Sequence, residues 1–171
     1  MISDWSKIGT GFLLVQKYCS CLEITPKCCN DGWKLVFAGS KFNNPAESKY
    51  APIEGECLAV VKALERAKYF VLGCQKLIVA LDHKPLVKIL GDRSLENINN
   101  PRLFKLKEKT LRYKFKIVHI SGRKNCGADA VSRYPVAGDP TSDNNESDDY
   151  IRGIGIGSLA GIDDLTVITW E

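Results

Sequence analysis

Asp82 closes the stretch KLIVALDHKPL, residues 76–86, in which Leu77, Ile78, Val79, Ala80 and Leu81 form an unbroken apolar run. Such a run predicts a strand buried on both faces. An acid abutting a buried strand needs a partner or a metal ion. His83 and Lys84 are the local candidates for a partner. In open α/β sheets the chemistry collects outside the carboxyl ends of parallel strands, so this strand end is a place to present an acid.

Four further acids could converge on it. Asp4 lies in ISDWS, just ahead of the first clear strand; Glu54 and Glu56 lie in the first turns of a long helix; Asp129 lies in the first turn of the last helix. Acids in first helical turns also complement the helix dipole, worth only ~0.3–1 kcal/mol each, which is the plain explanation for Glu54, Glu56 and Asp129. Helical geometry does not choose between the two glutamates. At about 100° per residue they fall on opposite flanks of the apolar face.

A second cluster is sulfur. Cys19, Cys21, Cys28 and Cys29 crowd into CSCLEITPKCC. Thiolates at short spacing are favoured zinc ligands. Against zinc, C-x-C followed by an adjacent pair is not a usual knuckle spacing, because neighbouring cysteines point apart. The plain reading is a loop insert between two strands.

These groups need elements to hold them. IGTGFLLVQ and WKLVFAGSKF read as two strands, with the turn signal NDG before the second and the cysteine insert between them, hence an antiparallel pair. NPAESKYAPIEGECLAVVKALERAKYFVLG reads as a helix with Pro52 in its first turn and Gly73 after its end. Its apolar face is Ile53, Cys57, Val60, Val61, Leu64, Ala67 and Val71. After the strand of residues 77–81, LGDRSLENINNP is a loop with at most a helical turn. PRLFKLKEKTLRYKF is a second helix, positively charged through Arg102, Lys105, Lys107, Lys109, Arg112 and Lys114, and held to the body by Leu103, Leu106 and Leu111. KFKIVHISG alternates like a strand, and NCGADAVSRYP is a short closing helix ended by Pro135. The closing strand–helix–strand crossover requires a parallel pair beside the antiparallel hairpin, which gives a mixed α/β sheet flanked by helices.

Bulk properties narrow the partners. The 171 residues are 44% hydrophobic and 26% charged, with no apolar stretch long enough for a membrane span. Asp4 and Lys7 occupy the place where a signal peptide needs its apolar stretch, and seven cysteines make an odd count without disulfide-scaffold density. Both point to an intracellular protein. Residues 136–171 carry eight acids and one base, −7 of a chain total of +4, which leaves +11 on residues 1–135. A basic body of that size suits a polyanionic partner.

The motifs ISDWSKIGTGFLLVQ, AGSKFNNPAESKYAPIEGECLAVVKALERAKYFVLG, VALDHKPLVKIL and NPRLFKLKEKTLRYKFKIVHISGRKNCGADAVSRYP resemble, in this order, the ribonuclease H domain of gypsy-type LTR-retrotransposon reverse transcriptases. The resemblance covers residues 2 to about 135. It implies the ribonuclease H-like fold, a five-stranded mixed sheet flanked by helices, here with a first strand truncated at its N-terminal half. It implies residues 1–135 as that domain and 136–171 as an acidic linker or tail leading toward a downstream domain. It picks Glu56 over Glu54 and gives Asp4, Glu56, Asp82 and Asp129 as catalytic acids and metal ligands. Four such carboxylates make an all-oxygen site suited to two Mg²⁺ ions, or Mn²⁺. The implied substrate is the RNA strand of an RNA/DNA hybrid, cut internally and read through its backbone and 2′-hydroxyls. Lys84, Arg102, Lys105, Lys109 and Arg112 are the expected backbone contacts. The resemblance also implies a preceding polymerase domain and a following integrase in the same polyprotein. It leaves His83 and His119 without assigned chemistry. The alternative is a related module that grips nucleic acid without cutting it.

Overall fold

The computed structural model describes residues 1–22, 28–29 and 32–135. The expectations for the tail, 136–171, lie outside the described residues. Five strands, β1 (Ile2–Trp5), β2 (Gly9–Lys17), β3 (Trp33–Phe42), β4 (Leu77–Leu81) and β5 (Phe115–His119), form one sheet in the order β3-β2-β1-β4-β5. Among the described residues, five α-helices accompany them: α1 (Pro52–Arg66), α2 (Lys68–Val71), α3 (Lys84–Leu90), α4 (Pro101–Thr110) and α5 (Cys126–Arg133).

The sheet is mixed, as the crossover argument requires. β2 runs antiparallel to both β1 and β3, while β4 is parallel to β1 and to β5. Asp4 lies ahead of β2, the first strand clear from its residues, and within the short β1. The short β1 pairs along its whole length with β2 and bridges β4 at Ile2 and Ala80. The Met1 carbonyl extends that second seam by accepting the Ala80 N–H at 2.8 Å.

The two-sided burial of β4 has a simple cause. Leu77, Val79 and Leu81 point into the larger core, shared with Cys57, Val60, Leu64, Leu86 and Leu103 of the helices. Ala80 points to the other face, where Ile2, Ile120 and Ala128 make a smaller core under α5. Side chains alternate along a strand, so Asp4 shares the face of Ile2, the face that α5 covers.

Three elements differ from the sequence reading. The long helix breaks at Ala67, where φ −88° and ψ 12° leave the helical region, and α2 resumes for one turn. Lys84–Leu90 forms a helix where none was expected; it buries Leu86, Ile89 and Leu90, but seven residues are too few for a clear periodic signal. On α4, Leu103 and Leu106 are buried as expected, whereas Leu111 is exposed and Lys107 is buried. Lys107 Nζ donates to the carbonyls of Ile89 at 2.7 Å, Gly91 at 3.3 Å and Arg93, capping the carboxyl end of α3 and the loop beyond it.

Candidate active site

Asp4, Glu56 and Asp82 each offer a carboxylate oxygen, and these lie within 4.8 Å of one another. They arrive from β1, from α1 and from the residue that follows β4. No thiolate or imidazole belongs to the group.

Asp4 is the most enclosed. Its Oδ1 accepts from Asn125 Nδ2 at 3.0 Å and its Oδ2 from Ser132 Oγ at 2.6 Å, both partners belonging to or adjoining α5. Ser132 Oγ also lies 2.9 Å from the Asp129 carbonyl oxygen. The approach of α5 depends on Gly11, which is the β2 partner of Asp4 in the sheet. A Cβ on Gly11 would stand 2.6 Å from the Ser132 nitrogen and 2.8 Å from the Ala128 carbonyl oxygen. A glycine opposite the acid therefore lets the helix backbone close down until Ser132 reaches it. Burial pushes the Asp4 carboxyl up to about 6; the Ser132 hydrogen bond opposes that shift, and the charges of Asp129 and Asp82 add to it.

Glu56 is pushed further, to about 9, first by burial and then by the charges of Asp4 and Asp82, with the Trp5 backbone N–H opposing. Its Oε2 is buried without a hydrogen-bond partner. A partnerless buried carboxylate oxygen among like charges is a costly arrangement that a cation relieves. The donor set is hard oxygen, which fits Mg²⁺ or Mn²⁺ better than zinc or copper.

Asp129 lies beside this cluster, outside it. Its Oδ1 accepts from Arg133 Nε at 2.8 Å and pairs with Arg133 Nη2 at 2.7 Å, one helical turn along α5. Its charge still contributes to the upward shifts of Asp4 and Glu56.

Glu54, which helical geometry left level with Glu56, is elsewhere. It accepts from Asn100 Nδ2 at 2.9 Å, from Arg102 Nη1 at 2.6 Å and from the Ala51 N–H at 3.2 Å. Burial opposes its ionisation, but these bonds outweigh burial and hold its carboxyl below the usual range. Glu54 thus ties α1 to the start of α4.

The basic residues divide in the same way. Lys84, Lys105 and Arg112 are exposed. Arg102 is bound to Glu54 and stacks over the Tyr50 ring at 4.1 Å, and Lys109 lies 3.6 Å from Glu65. His119 ends β5, and its Nε2 is 3.1 Å from the Asp82 carbonyl oxygen. His83 is half-buried at the start of α3.

Sequence reasoning missed Asn125 and Ser132. With Asp129 they stand at i, i+4 and i+7 of NCGADAVS, one polar stripe on a short helix. That stripe was the available signal.

A five-stranded mixed sheet in this order, with acids gathered at β1 and the end of β4, defines a ribonuclease H-like domain. The chain belongs to the RNase H-like domains found in reverse transcriptase, a family whose model matches residues 1–113. It is 38% identical over 99 residues to the retrovirus-related Pol polyprotein from transposon 297 of Drosophila melanogaster, covering 57% of this chain and 9% of that protein. It is 31% identical over 133 residues to the Pol polyprotein from transposon gypsy of the same species, covering 78% of this chain and 11% of that protein. The polyprotein from transposon opus, also of that fly, is 33% identical over 96 residues, 56% of this chain and 9% of its own length. The chain thus spans about a tenth of the length of these relatives. Among solved structures, RNase H1 from the halophilic archaeon Halobacterium salinarum NRC-1 has the same fold, with a TM-score of 0.54 at 20% identity over 78% of this chain and 95% of that one. The resemblance read from the motifs and the expected fold class are both borne out. Among the described residues, no helix is long and apolar enough to cross a membrane.

Proposed function

We propose that this domain hydrolyses the RNA strand of an RNA/DNA hybrid at the Asp4, Glu56 and Asp82 cluster, with Asp129 completing the site. The observation that carries the reading is the approach of those three carboxylates to within 4.8 Å. Divalent cations bound there, Mg²⁺ or Mn²⁺ and two in number, would supply an activated water and neutralise charge on the leaving oxygen. Asp4, Glu56 and Asp82 would hold them, and Asp129 would join once its carboxylate is shared with Arg133.

The chain's own residues do the positioning. Asn125 and Ser132 fix both oxygens of Asp4, so this carboxylate keeps one orientation. Glu56 adds an oxygen that no protein donor occupies. Exposed Lys84, Lys105 and Arg112, with Arg102 and Lys109, offer phosphate contacts that position a duplex without reading its bases. In a polyprotein, a preceding polymerase domain would supply the hybrid and an integrase would follow.

The test is cleavage of an end-labelled RNA/DNA hybrid in Mg²⁺, beside an Asp82→Asn control. Internal cuts in the RNA strand that vanish in the control support the reading. Folded protein that binds the hybrid but leaves it uncut refutes it in favour of a binding module.

A further inference from the structure

The four cysteines of the β2–β3 hairpin play no part in the acidic site. Each of Cys19, Cys21, Cys28 and Cys29 offers a sulfur, and the four sulfurs lie within 4.8 Å of one another. Cys19 and Cys28 approach to 3.3 Å. The expectation that neighbouring cysteines point apart fails here because the chain bends at both Cys28 and Cys29, where the alternation of extended backbone does not apply. Cys19 and Cys21, two residues apart just beyond β2, bring their sulfurs into the same group.

We propose that these four thiolates form a structural zinc site that closes the tip of the β2–β3 hairpin. Tetrahedral zinc with Zn–S bonds of about 2.3 Å sets its sulfurs about 3.8 Å apart, a separation that fits four sulfurs lying within 4.8 Å of one another. Four sulfurs within 4.8 Å of one another leave room for one ion and are too tight for a multi-iron cluster. Four protein sulfurs leave no open coordination position, which marks a structural site.

The surroundings are shaped to the sulfurs. A Cβ on Gly32 would lie 2.5 Å from both the Cys19 and the Cys29 sulfurs, so the glycine leaves the space they occupy. Trp33 Nε1 donates to the Cys28 sulfur at 3.1 Å, the kind of N–H···S bond that steadies a metal-bound thiolate. Lys17 Nζ donates to the Cys21 carbonyl, placing a cation beside a site whose net charge is −2. The Tyr18 N–H donates to the Gly32 carbonyl at 2.7 Å, closing the ladder at the base of the loop. On binding, four S–H bonds give way to four S–Zn bonds and four protons pass to the buffer.

The full chain, purified under reducing conditions without chelator, should carry one zinc per molecule by elemental mass spectrometry. Cobalt(II) added to the metal-free protein should give the intense visible bands of tetrahedral thiolate ligation, which zinc then bleaches. Co²⁺ at the carboxylate cluster gives only the weak bands of oxygen ligation, so the two sites are read apart. A Cys19→Ser/Cys28→Ser double variant should lose the intense bands while Cys126→Ser keeps them. Trp33→Phe should weaken zinc affinity by about tenfold. Absence of the thiolate bands from the wild-type protein overturns the proposal. So do iron in place of zinc, bands that survive in the double variant, or a Cys19–Cys28 disulfide under reducing conditions.

Discussion

Replacing Ser132 with alanine tests how Asp4 is held. Ser132 is fully buried and donates a 2.6 Å hydrogen bond to Asp4 Oδ2, while Asn125 serves Oδ1. The variant removes one hydroxyl and leaves a buried carboxylate oxygen unpartnered. A hydrogen bond to a charged group contributes about 1.5–3 kcal/mol, and one between neutral groups about 0.5–1.5 kcal/mol. The loss therefore depends on whether Asp4 is ionised. Its folded carboxyl titrates at about 6 against an ordinary 3.8, because burial outweighs the Ser132 bond. Stability attached to a raised carboxyl is complete below its unfolded value and is lost as pH rises through the folded one. Removing Ser132 raises the folded value further, so the decline extends to higher pH. In EDTA, urea denaturation should show Ser132→Ala less stable by about 1.5–3 kcal/mol at pH 8 and by about half that at pH 5. For a domain of this size the larger figure is a drop in Tm of roughly 5–10 °C. Mg²⁺ binding, followed by calorimetry at pH 7, should weaken in parallel, because the ion must displace a proton that Asp4 now holds more tightly. Equal losses at pH 5 and pH 8 would refute the reasoning, since they would make Ser132 a packing residue with no hold on the charge.

The two glutamates separate by opposite effects. Glu56→Gln should abolish Mg²⁺-dependent cleavage. In EDTA at pH 8 it should be more stable than the parent by a few kcal/mol, because the parent's stability declines from pH 4.5 to about 9, where Glu56 of the unfolded chain ionises while the buried carboxyl keeps its proton. Glu54→Gln should keep cleavage while losing about 1 kcal/mol, as the tie to Arg102 and Asn100 weakens; denaturation and hybrid cleavage run on both variants decide it. Lys107→Met should lower stability by about 1–3 kcal/mol, since the carbonyls of Ile89, Gly91 and Arg93 lose their shared donor. Hybrid affinity measured at two salt concentrations should show an unchanged salt slope for that variant, because a buried ammonium meets no phosphate.

What the sequence conveyed and what it withheld follow from how far each signal reaches. The apolar run of β4 and the apolar face of the long helix are local patterns, and most of their residues are buried as those patterns imply, with Ile53 and Ile78 half-buried. The choice between Glu54 and Glu56 depends on where α1 lies across the sheet, which no helical projection contains. One flank faces Asp4 and Asp82, and the other faces Asn100 and Arg102. Lys107 reads as one more charge on a basic helix because the carbonyls that receive it belong to α3 and the loop after it. That helix is itself too short to announce its period. The cysteines misled for a related reason: the pointing-apart argument assumes extended backbone, and the chain bends at Cys28 and Cys29.

Neutral residues are the least legible part of an acidic site, and here they do the positioning. Carboxylates stand out because burying them needs a reason, whereas Gly11, Asn125 and Ser132 are ordinary in a strand and a short helix. Yet Asp4 sits opposite Gly11 in the sheet, and the missing side chain there sets how closely α5 approaches. That approach brings Ser132 and Asn125 to both oxygens of the acid while Asp129, on the same stripe, stays turned to Arg133. α5 therefore brings two kinds of residue: donors that fix an acid on β1, and an acid of its own paired with Arg133 one helical turn along. A side chain as small as alanine at position 11 would press on the backbone of α5 and disturb all of these at once, although it carries no charge and touches no metal ligand directly.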